Sequence, residues 1–266
     1  MRLWITVLFL VSILLFSCTK NRLDVCAIPK IDEIPTGSTV VIGHAYGGSS
    51  TQSGFLAPKV SLFLEKYHEN ISEVIFTGDV FGTPSLSKWR MLKQKYNGKF
   101  DIYIAPGNHD VGFGNNPKRE IFELSPFSLK REALPLKING YDLILEDSNL
   151  NSWLIGKETQ NLTNTYGLDA DLVLLRHHVP IVELLEYANS REGAPIDLPT
   201  AHELSNFFSN IDSLTIISGD SGAFSNLPRL SCNKYGKITF ITNGIGEVDG
   251  DSILILKEGE TFLKVL

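Results

Sequence analysis

Short β-rich runs alternate with helical patterns along most of the chain, and this alternation constrains the fold more than any other feature of the sequence. Several runs, such as 171–176, are nearly continuous in Val, Ile, Leu or Phe, which is typical of strands buried on both faces. In the pattern 55–67, apolar residues recur at the spacing of one helix face. Strand and helix in alternation predict an α/β domain. The later strands have fewer helices between them, which indicates a second sheet.

The predicted elements occupy residues 37–266, which we treat as one domain. The predicted strands are 38–42, 73–77, 100–105, 141–146, 171–176, 214–218, 237–242 and 253–257. The predicted helices are 55–67, 86–96, 117–122, 181–187 and 201–208. Hydrophobic residues make up 43% of the sequence and charged residues 20%, a balance that supports a sizeable core and argues against a disordered chain.

Residues 1–18 have the pattern of an export signal. Arg2 is followed by an apolar run over 3–16 that is too short for a comfortable membrane span, and the segment ends at Cys18. The pattern resembles a bacterial lipoprotein signal, in which Cys18 would be lipidated and become the new N-terminus; a plain cleaved signal and an uncleaved anchor are the alternatives. The lipoprotein interpretation predicts a protein of the bacterial cell envelope, facing the periplasm or the exterior and held to the membrane by its N-terminal lipid. Residues 19–36 would then form a tether.

Two further cysteines, Cys26 and Cys232, lie far apart in the sequence. Export would place them in an oxidising compartment, where a disulfide between them and two free thiols are both open. The formal net charge is −6 and no basic stripe is visible, so we expect no binding along a nucleic-acid backbone. An anionic substrate would have to be attracted by local positive charge, such as bound metal ions.

Polar clusters follow four of the predicted strands, at the carboxyl ends where α/β sheets form their sites. The clusters contain, in chain order, Asp79, Asn108, His178 and Asp220. Carboxylate, amide oxygen and imidazole are all metal ligands, and neighbouring glycines allow the sharp turns that bring such groups together. Taken singly, these residues also suit helix caps or turns. Taken together, they predict a metal site.

Three of these clusters resemble motifs of the calcineurin-like metallophosphoesterase family. They are Gly78-Asp79, the block Gly107-Asn108-His109-Asp110, and His178-Val179-Pro180, and the likeness extends over about 40–246. The resemblance implies a four-layer αββα sandwich with a site for two divalent metal ions, manganese, iron or zinc, between the sheets. It implies hydrolysis of a phosphomonoester or phosphodiester by metal-activated water.

The first and last family motifs are altered in this chain. Where the family has Asp-x-His, this sequence has His44 and Tyr46, and where the family has Gly-His-x-His, it has Asp220 followed by Gly222. Two residues apart in an extended segment, His44 and Tyr46 point the same way. The exchanged ligand types suggest a rebuilt site; the alternative is a catalytically inactive lipoprotein that serves as a binding or structural module.

The resemblance assigns a role to each matching position. Asp79 would bridge the two metals, with Asn108, His178 and Asp220 completing one of them and His44 the other. Tyr46 would ligate a metal or bind the substrate phosphate, and His177 would contact the substrate, a phosphorylated small molecule or an envelope component. In catalysis, His109 would protonate the leaving oxygen and Asp110 would orient the His109 ring. The expected roles therefore cover these residues: His44, Tyr46, Asp79, Asn108, His109, Asp110, His177, His178 and Asp220.

Overall fold

The fold is described from a computed structural model of the chain. The structure describes residues 23–48, 55–112, 116–166, 171–187, 195–222 and 230–266. The predicted export signal and Cys18 lie outside the described residues, so both export and lipidation stay predictions. Among the described residues, no helix has the length and apolar character needed to cross a membrane.

Five strands form one mixed sheet, in the order β12-β11-β2-β3-β4. Strands β2, β3 and β4 are parallel, and β11 and β12 are added antiparallel at one side. The strands are β2 (Ser38–Ile42), β3 (Ile71–Phe76), β4 (Asp101–Ile104), β11 (Ser252–Lys257) and β12 (Glu260–Val265).

The other seven strands form a second sheet, in the order β1-β9-β10-β8-β7-β6-β5. Strands β6, β7, β8 and β10 are parallel, whereas β5, β9 and β1 pair antiparallel with their neighbours. The strands are β1 (Asp24–Val25), β5 (Ala133–Ile138), β6 (Tyr141–Glu146), β7 (Asp171–Arg176), β8 (Ser213–Ser218), β9 (Leu230–Tyr235) and β10 (Ile238–Asn243).

Helices cover the outer faces of the two sheets. Several begin at recognisable signals: α1 has a proline in its first turn, and Ser85 caps α2 by accepting a hydrogen bond from the Lys88 N–H. Thr200 and Glu203 form a capping box at the start of α7. The helices are α1 (Pro58–Lys66), α2 (Leu86–Tyr96), α3 (Asn108–Val111), α4 (Pro117–Glu123), α5 (Lys157–Tyr166), α6 (Val182–Tyr187) and α7 (Ala201–Phe207).

Three apolar cores hold the layers together. In β2, Val40 and Ile42 face the core beneath α1 and α2, while Val41 between them faces the second sheet, as the two-residue period of a strand requires. The core between the sheets joins Val41 to residues such as Leu175 and Ile217. A third core packs α6 and α7 on the outer face of the seven-stranded sheet. The predicted four-layer αββα sandwich is therefore confirmed.

The N-terminal segment, expected to be a tether up to residue 36, is part of the domain from Leu23 onward. Strand β1 pairs with β9, and Cys26 forms a disulfide with Cys232, with a Cα–Cα distance of 5.0 Å. Farther along, Ile34 is 3% exposed within the core beneath the helices. Apolar residues spaced through this polar segment give it contacts with both sheets, so the tether interpretation was wrong for its described part.

Candidate metal centre

Five polar side chains that lie near one another follow the carboxyl ends of parallel strands. Three of these strands, β2, β3 and β4, belong to the five-stranded sheet, and two, β7 and β8, belong to the seven-stranded sheet. The site thus lies where the strand ends of both sheets meet, as the sequence predicted. The five residues are His44, Asp79, Asn108, His177 and Asp220.

Two glycines allow the strand ends to approach this closely. A Cβ on Gly219 would lie 1.9 Å from the backbone oxygen of Thr77, and a Cβ on Gly107 would lie 2.2 Å from Oδ1 of Asp79. Both distances are far inside van der Waals contact, so no larger residue fits without backbone movement. These glycines are therefore part of the architecture of the site.

Asp79 is the residue around which the site is arranged. It is 1% exposed and has a positive φ of 55°, a conformation that few non-glycine residues adopt. Its Oδ1 accepts a hydrogen bond from the His109 N–H at 2.9 Å and lies 3.4 Å from Nε2 of His177. Its Oδ2 lies 3.6 Å from Nε2 of His44. Each carboxylate oxygen therefore faces the Nε2 of a different histidine.

His177 is held so that its Nε2 faces oxygen atoms. Its Nδ1 donates to the backbone oxygen of Thr77 at 3.1 Å, since a carbonyl can only accept. In the neutral ring, Nε2 is then the unprotonated nitrogen. It lies 2.9 Å from Oδ1 of Asn108 and 3.4 Å from Oδ1 of both Asp79 and Asp220.

The structure gives His177, rather than His178, the contacts expected of the metal-ligating histidine. The His178 ring stacks on Trp153, with centroids 4.4 Å apart, and its Nδ1 lies 2.9 Å from Oγ of Ser148. His178 remains near the site, because one ligand atom each from His177, His178 and Asp220 lies within 4.8 Å of the other two. Its Nε2 is buried and finds no hydrogen-bond partner among the described residues. Both histidines can thus contribute to a metal site, with His177 at its centre.

The altered first motif also reaches the site. Nδ1 of His44 donates to the backbone oxygen of Ile245 at 3.1 Å, which leaves Nε2 as the nitrogen that faces Asp79. This Nε2 is buried and has no hydrogen-bond partner among the described residues. The Tyr46 ring packs against both His44 and His109, with centroid distances of 4.3 and 5.2 Å. His44 and Tyr46 therefore lie on the same side of the site, although the segment is a turn and not extended as expected, since His44 has a φ of 49°.

His109 and Asp110 do not form the expected carboxylate–imidazole pair. Nδ1 of His109 lies 3.3 Å from the backbone oxygen of Gly82, so that carbonyl orients the ring. The buried carboxylate of Asp110 accepts hydrogen bonds from the backbone N–H groups of Gly107 and Val80. Asp110 thus fixes the loops that carry Asn108 and Asp79, and its assignment as the partner of the His109 ring was wrong.

The electrostatics of the site are those of several buried charges in close contact. Burial raises the pKa of Asp220 to about 7, with the charge of His177 opposing this and that of Asp79 adding to it. Burial, followed by the charge of Asp79, raises the pKa of Asp110 to about 6. Burial would raise the pKa of Asp79 too, but the charges of His177 and His44 outweigh it and lower the pKa. Without a metal ion, burial lowers the pKa of His177, but the charges of Asp79 and Asp220 outweigh burial and raise it, so the protonated His177 helps to keep Asp79 ionised.

These contacts fit a divalent metal ion. In their neutral forms, His44 and His177 donate from Nδ1 to backbone carbonyls and direct the lone pair of Nε2 at the carboxylate of Asp79. The Nε2 atoms and the carboxylate are then all acceptors, and a cation between them would stabilise this arrangement. Around His177, the spacings of 3.4 Å to Asp79 and to Asp220 match the ligand–ligand separation of about 3.3–3.4 Å in a tetrahedral site with bonds of about 2.0–2.1 Å. Amide oxygen from Asn108 completes a mixed nitrogen and oxygen ligand set.

Supporting residues of the site carry no sequence motif. Thr77 and Ile245 act through backbone oxygens, so their side-chain types gave no signal. Ser148 follows β6 and reaches His178 only through the fold. Beneath the site, Arg176 and Glu146 form an ion pair in which both side chains are 0% exposed. Charged residues at the ends of two otherwise apolar strands were the only available signal for that pair.

Comparison with known families identifies one match. The family model for calcineurin-like phosphoesterases matches residues 54–244. The matched segment includes every site residue named above except His44, Tyr46 and Ile245. No curated protein matches the sequence. The family match covers most of the chain, so it is the finding on which the assignment depends.

Several solved structures are similar in overall fold. The phosphopantetheinyl hydrolase of Mycobacterium tuberculosis is 11% identical, covers 80% of this chain and 91% of its own, and gives a TM-score of 0.49. Two other similar structures are of Vps29. The Entamoeba histolytica protein, a single mutant, is 12% identical with coverages of 86% and 98% and a TM-score of 0.36. The Cryptosporidium parvum protein is 16% identical with coverages of 87% and 96% and a TM-score of 0.36.

Proposed function

The chain belongs to the calcineurin-like phosphoesterase family, and from that premise we propose that it is a metal-dependent phosphoesterase that acts outside the cytoplasm. Membership of this family supports phosphoester hydrolysis as the general activity. One observation carries the proposal for this divergent member: both oxygens of the buried Asp79 carboxylate face histidine Nε2 atoms, from His44 and His177, whose Nδ1 atoms are engaged by backbone carbonyls. Such an arrangement favours divalent cations, as the sequence predicted; manganese, iron and zinc all suit its mixed ligands.

The residues around the metal centre are suited to orienting and protonating a phosphoester. When bound, a divalent cation supplies an activated water and positive charge close to the phosphoryl oxygens. Oδ1 of Asp79 accepts a hydrogen bond from the backbone N–H of His109, and the Gly82 carbonyl accepts one from Nδ1 of the ring. In the protonated ring, Nε2 carries the second proton and can donate it to the leaving oxygen. Tyr46 packs against the His109 ring and limits its movement. Asp110 keeps the loop of Asn108 fixed through backbone hydrogen bonds.

We infer an extracytoplasmic substrate, a phosphomonoester or phosphodiester carried by a small molecule or an envelope component. The disulfide between Cys26 and Cys232 supports an oxidising compartment, where such bonds persist. The signal-like pattern of residues 1–18 supports export and a lipid on Cys18. Radiolabelled palmitate in the expressing cells would label the wild-type chain but not Cys18→Ala; equal labelling of both would rule out this anchor.

Hydrolysis of two chromogenic substrates tests the catalytic proposal. We expect the purified, Mn²⁺-loaded protein to hydrolyse p-nitrophenyl phosphate or bis-p-nitrophenyl phosphate, and the preferred ester identifies the substrate class. His109→Ala should lower kcat by about 10²–10⁴-fold, since it removes the general acid. His68→Ala is the matched control, because His68 is partly exposed outside the site, with its Nδ1 2.9 Å from the backbone oxygen of Glu65. Equal rates for wild type and His109→Ala would refute the role of His109.

A second function, as an inactive binding or structural module, is favoured by the altered first and last motifs. It predicts a folded protein that binds metal yet hydrolyses neither substrate under any metal. The histidine in the Asn108-His109 pair argues against it, because a site used only for binding has no need of a positioned proton donor. Hydrolysis that is lost in Asp79→Asn would exclude this function.

A further inference from the structure

The two oxygens of the Asp79 carboxylate face very different surroundings. On the side of Oδ1, which we call the Asp220 side, lie Nε2 of His177 at 3.4 Å and, in contact with it, oxygen atoms of Asn108 and Asp220. On the side of Oδ2, the His44 side, the matching contact is Nε2 of His44 at 3.6 Å. Among these contacts, the candidate ligands on the Asp220 side are Asp79, His177, Asn108 and Asp220, with His178 close by, whereas those on the His44 side are Asp79 and His44.

The other site histidines already have a place: His177 and His178 lie with Asp220, and His109 is the proposed proton donor. Of the chain's six histidines, His68 and His202 remain outside the site; His68 bonds the backbone of Glu65, and His202 lies against Asn206. Position 222, where the family's last motif has a histidine, is glycine.

Tyr46 occupies the place of the other family histidine. Its ring is packed between the imidazoles of His44 and His109, and Gly82 lies against its face. An imidazole at this position would present a basic nitrogen to a metal, whereas a phenol hydroxyl at neutral pH is a hydrogen-bond donor. The side chain therefore suits a phosphoryl oxygen better than it suits a cation.

From this asymmetry we propose that the site retains one metal ion, on the Asp220 side, and that the His44 side takes up a second ion only together with the phosphate group of a substrate. Zinc sites use three or four protein ligands, whereas a hard cation held by only one or two protein ligands usually takes substrate phosphate oxygens as further ligands. Phosphate oxygens supply the missing ligands, and the Tyr46 hydroxyl donates a hydrogen bond to the same group. This inference rests on the proposed metal-dependent function and adds the order in which the site is filled.

Counting bound Mn²⁺ in the full-length protein in detergent tests the proposal, with free Mn²⁺ followed by electron paramagnetic resonance. We expect one ion per wild-type chain without phosphate and two with inorganic phosphate present. His44→Ala should hold one ion in both conditions, because only the His44 side is damaged. Asp220→Ala should lower the affinity for the first ion by about 10-fold or more. Two ions on the wild type without phosphate, or one ion at saturating phosphate, would overturn the proposal.

Substitutions of Tyr46 give an independent test. Tyr46→His restores the ligand type of the family, so we expect two ions per chain without phosphate. Tyr46→Phe should keep one ion without phosphate and bind the second, phosphate-dependent ion more weakly. A Tyr46→Phe protein that loses its resident ion would show that Tyr46 is itself a ligand and would overturn the proposal. Thermal unfolding of each variant establishes that it is folded, and a folded wild type that binds no Mn²⁺ would instead refute the proposed function.

Discussion

Removing one partner of the buried ion pair beneath the metal centre should cost a large part of the stability of the protein. Nε of Arg176 lies 3.1 Å from Oε2 of Glu146, and both side chains are 0% exposed. Glu146 also accepts a hydrogen bond from the Gly156 N–H at 2.8 Å, and Arg176 donates to the backbone oxygens of Trp153 and Leu154. Because neither charge contacts water, the survivor of a single substitution would be left buried and unpaired.

The expected cost of Glu146→Leu is about 3–5 kcal/mol, the range for breaking a buried pair. Burial lowers the pKa of Arg176 and raises that of Glu146, and each partner only opposes that effect, so desolvation is the larger force on both groups. The double variant Arg176→Met, Glu146→Leu should therefore lie within about 1–2 kcal/mol of the wild type, since apolar side chains of similar volume replace both charges.

Urea unfolding of the metal-free protein, followed by circular dichroism, measures both effects. With a slope of about 2–3 kcal/mol per molar urea, the single substitution should move the midpoint down by about 1–2 M, and the double substitution should restore most of it. A Glu146→Leu midpoint within about 0.3 M of the wild type would refute the reasoning. A double variant whose loss of unfolding free energy equals the sum of the losses in the two single variants would also refute it.

Three other predictions concern the site and its supports. Since burial raises the pKa of Asp220 to about 7, Mn²⁺ affinity should fall by about tenfold per pH unit below 7 as that carboxyl is protonated; a flat titration from about pH 8 to 5.5 would contradict its role as a ligand. Gly219→Ala would bring a Cβ to 1.9 Å from the Thr77 oxygen, so we expect about 10–100-fold weaker metal binding by calorimetry, and unchanged affinity would refute the close approach. Replacing Cys26 and Cys232 together by Ser should cost about 2–4 kcal/mol in urea unfolding, and a wild-type protein insensitive to reductant would argue against the disulfide.

The strands that position the site could be predicted because they are buried on both faces. Strands β2, β6 and β7 have the predicted bounds, and each shows a run of apolar residues. Four described strands were missed: β1 has only two residues, and β5, β9 and β12 are partly exposed and mix apolar with polar residues. Pro135 is tolerated within β5 because this strand is at the edge of the sheet. A proline in the sequence argues against a strand, so β5 could not be predicted without knowing its position in the sheet.

The site could be predicted as a set of residues but not in its detailed contacts. Glycine-flanked polar residues after buried strands identified Asp79, Asn108 and Asp220 directly. The sequence assigned the ligand role to His178 and a substrate contact to His177, whereas the structure gives the ligand contacts to His177. Adjacent residues in an extended segment point to opposite sides, and the sequence does not show which of the two sides faces the site. What decides it is Trp153, which lies on a distant loop with a positive φ of 72° and stacks on His178.

The altered motifs gain a common explanation once the geometry is known. In the family pattern the first motif contributes a carboxylate and the last motif two histidines; here the first contributes His44 and the last contributes Asp220. His44 faces Oδ2 of Asp79, whereas Asp220 contacts the His177 ring that faces Oδ1, so the exchange moves one negative charge from one side of Asp79 to the other. The Asp220 side then has two carboxylates around one cation, while the His44 side shares only that of Asp79 and has a neutral imidazole. A divalent ion binds most strongly where the ligand charge is highest. The exchange of Asp for His in the first motif and of His for Asp in the last therefore makes the two metal positions unequal in affinity. The site should therefore be filled in a fixed order, with the anionic substrate supplying the charge that the His44 side has lost.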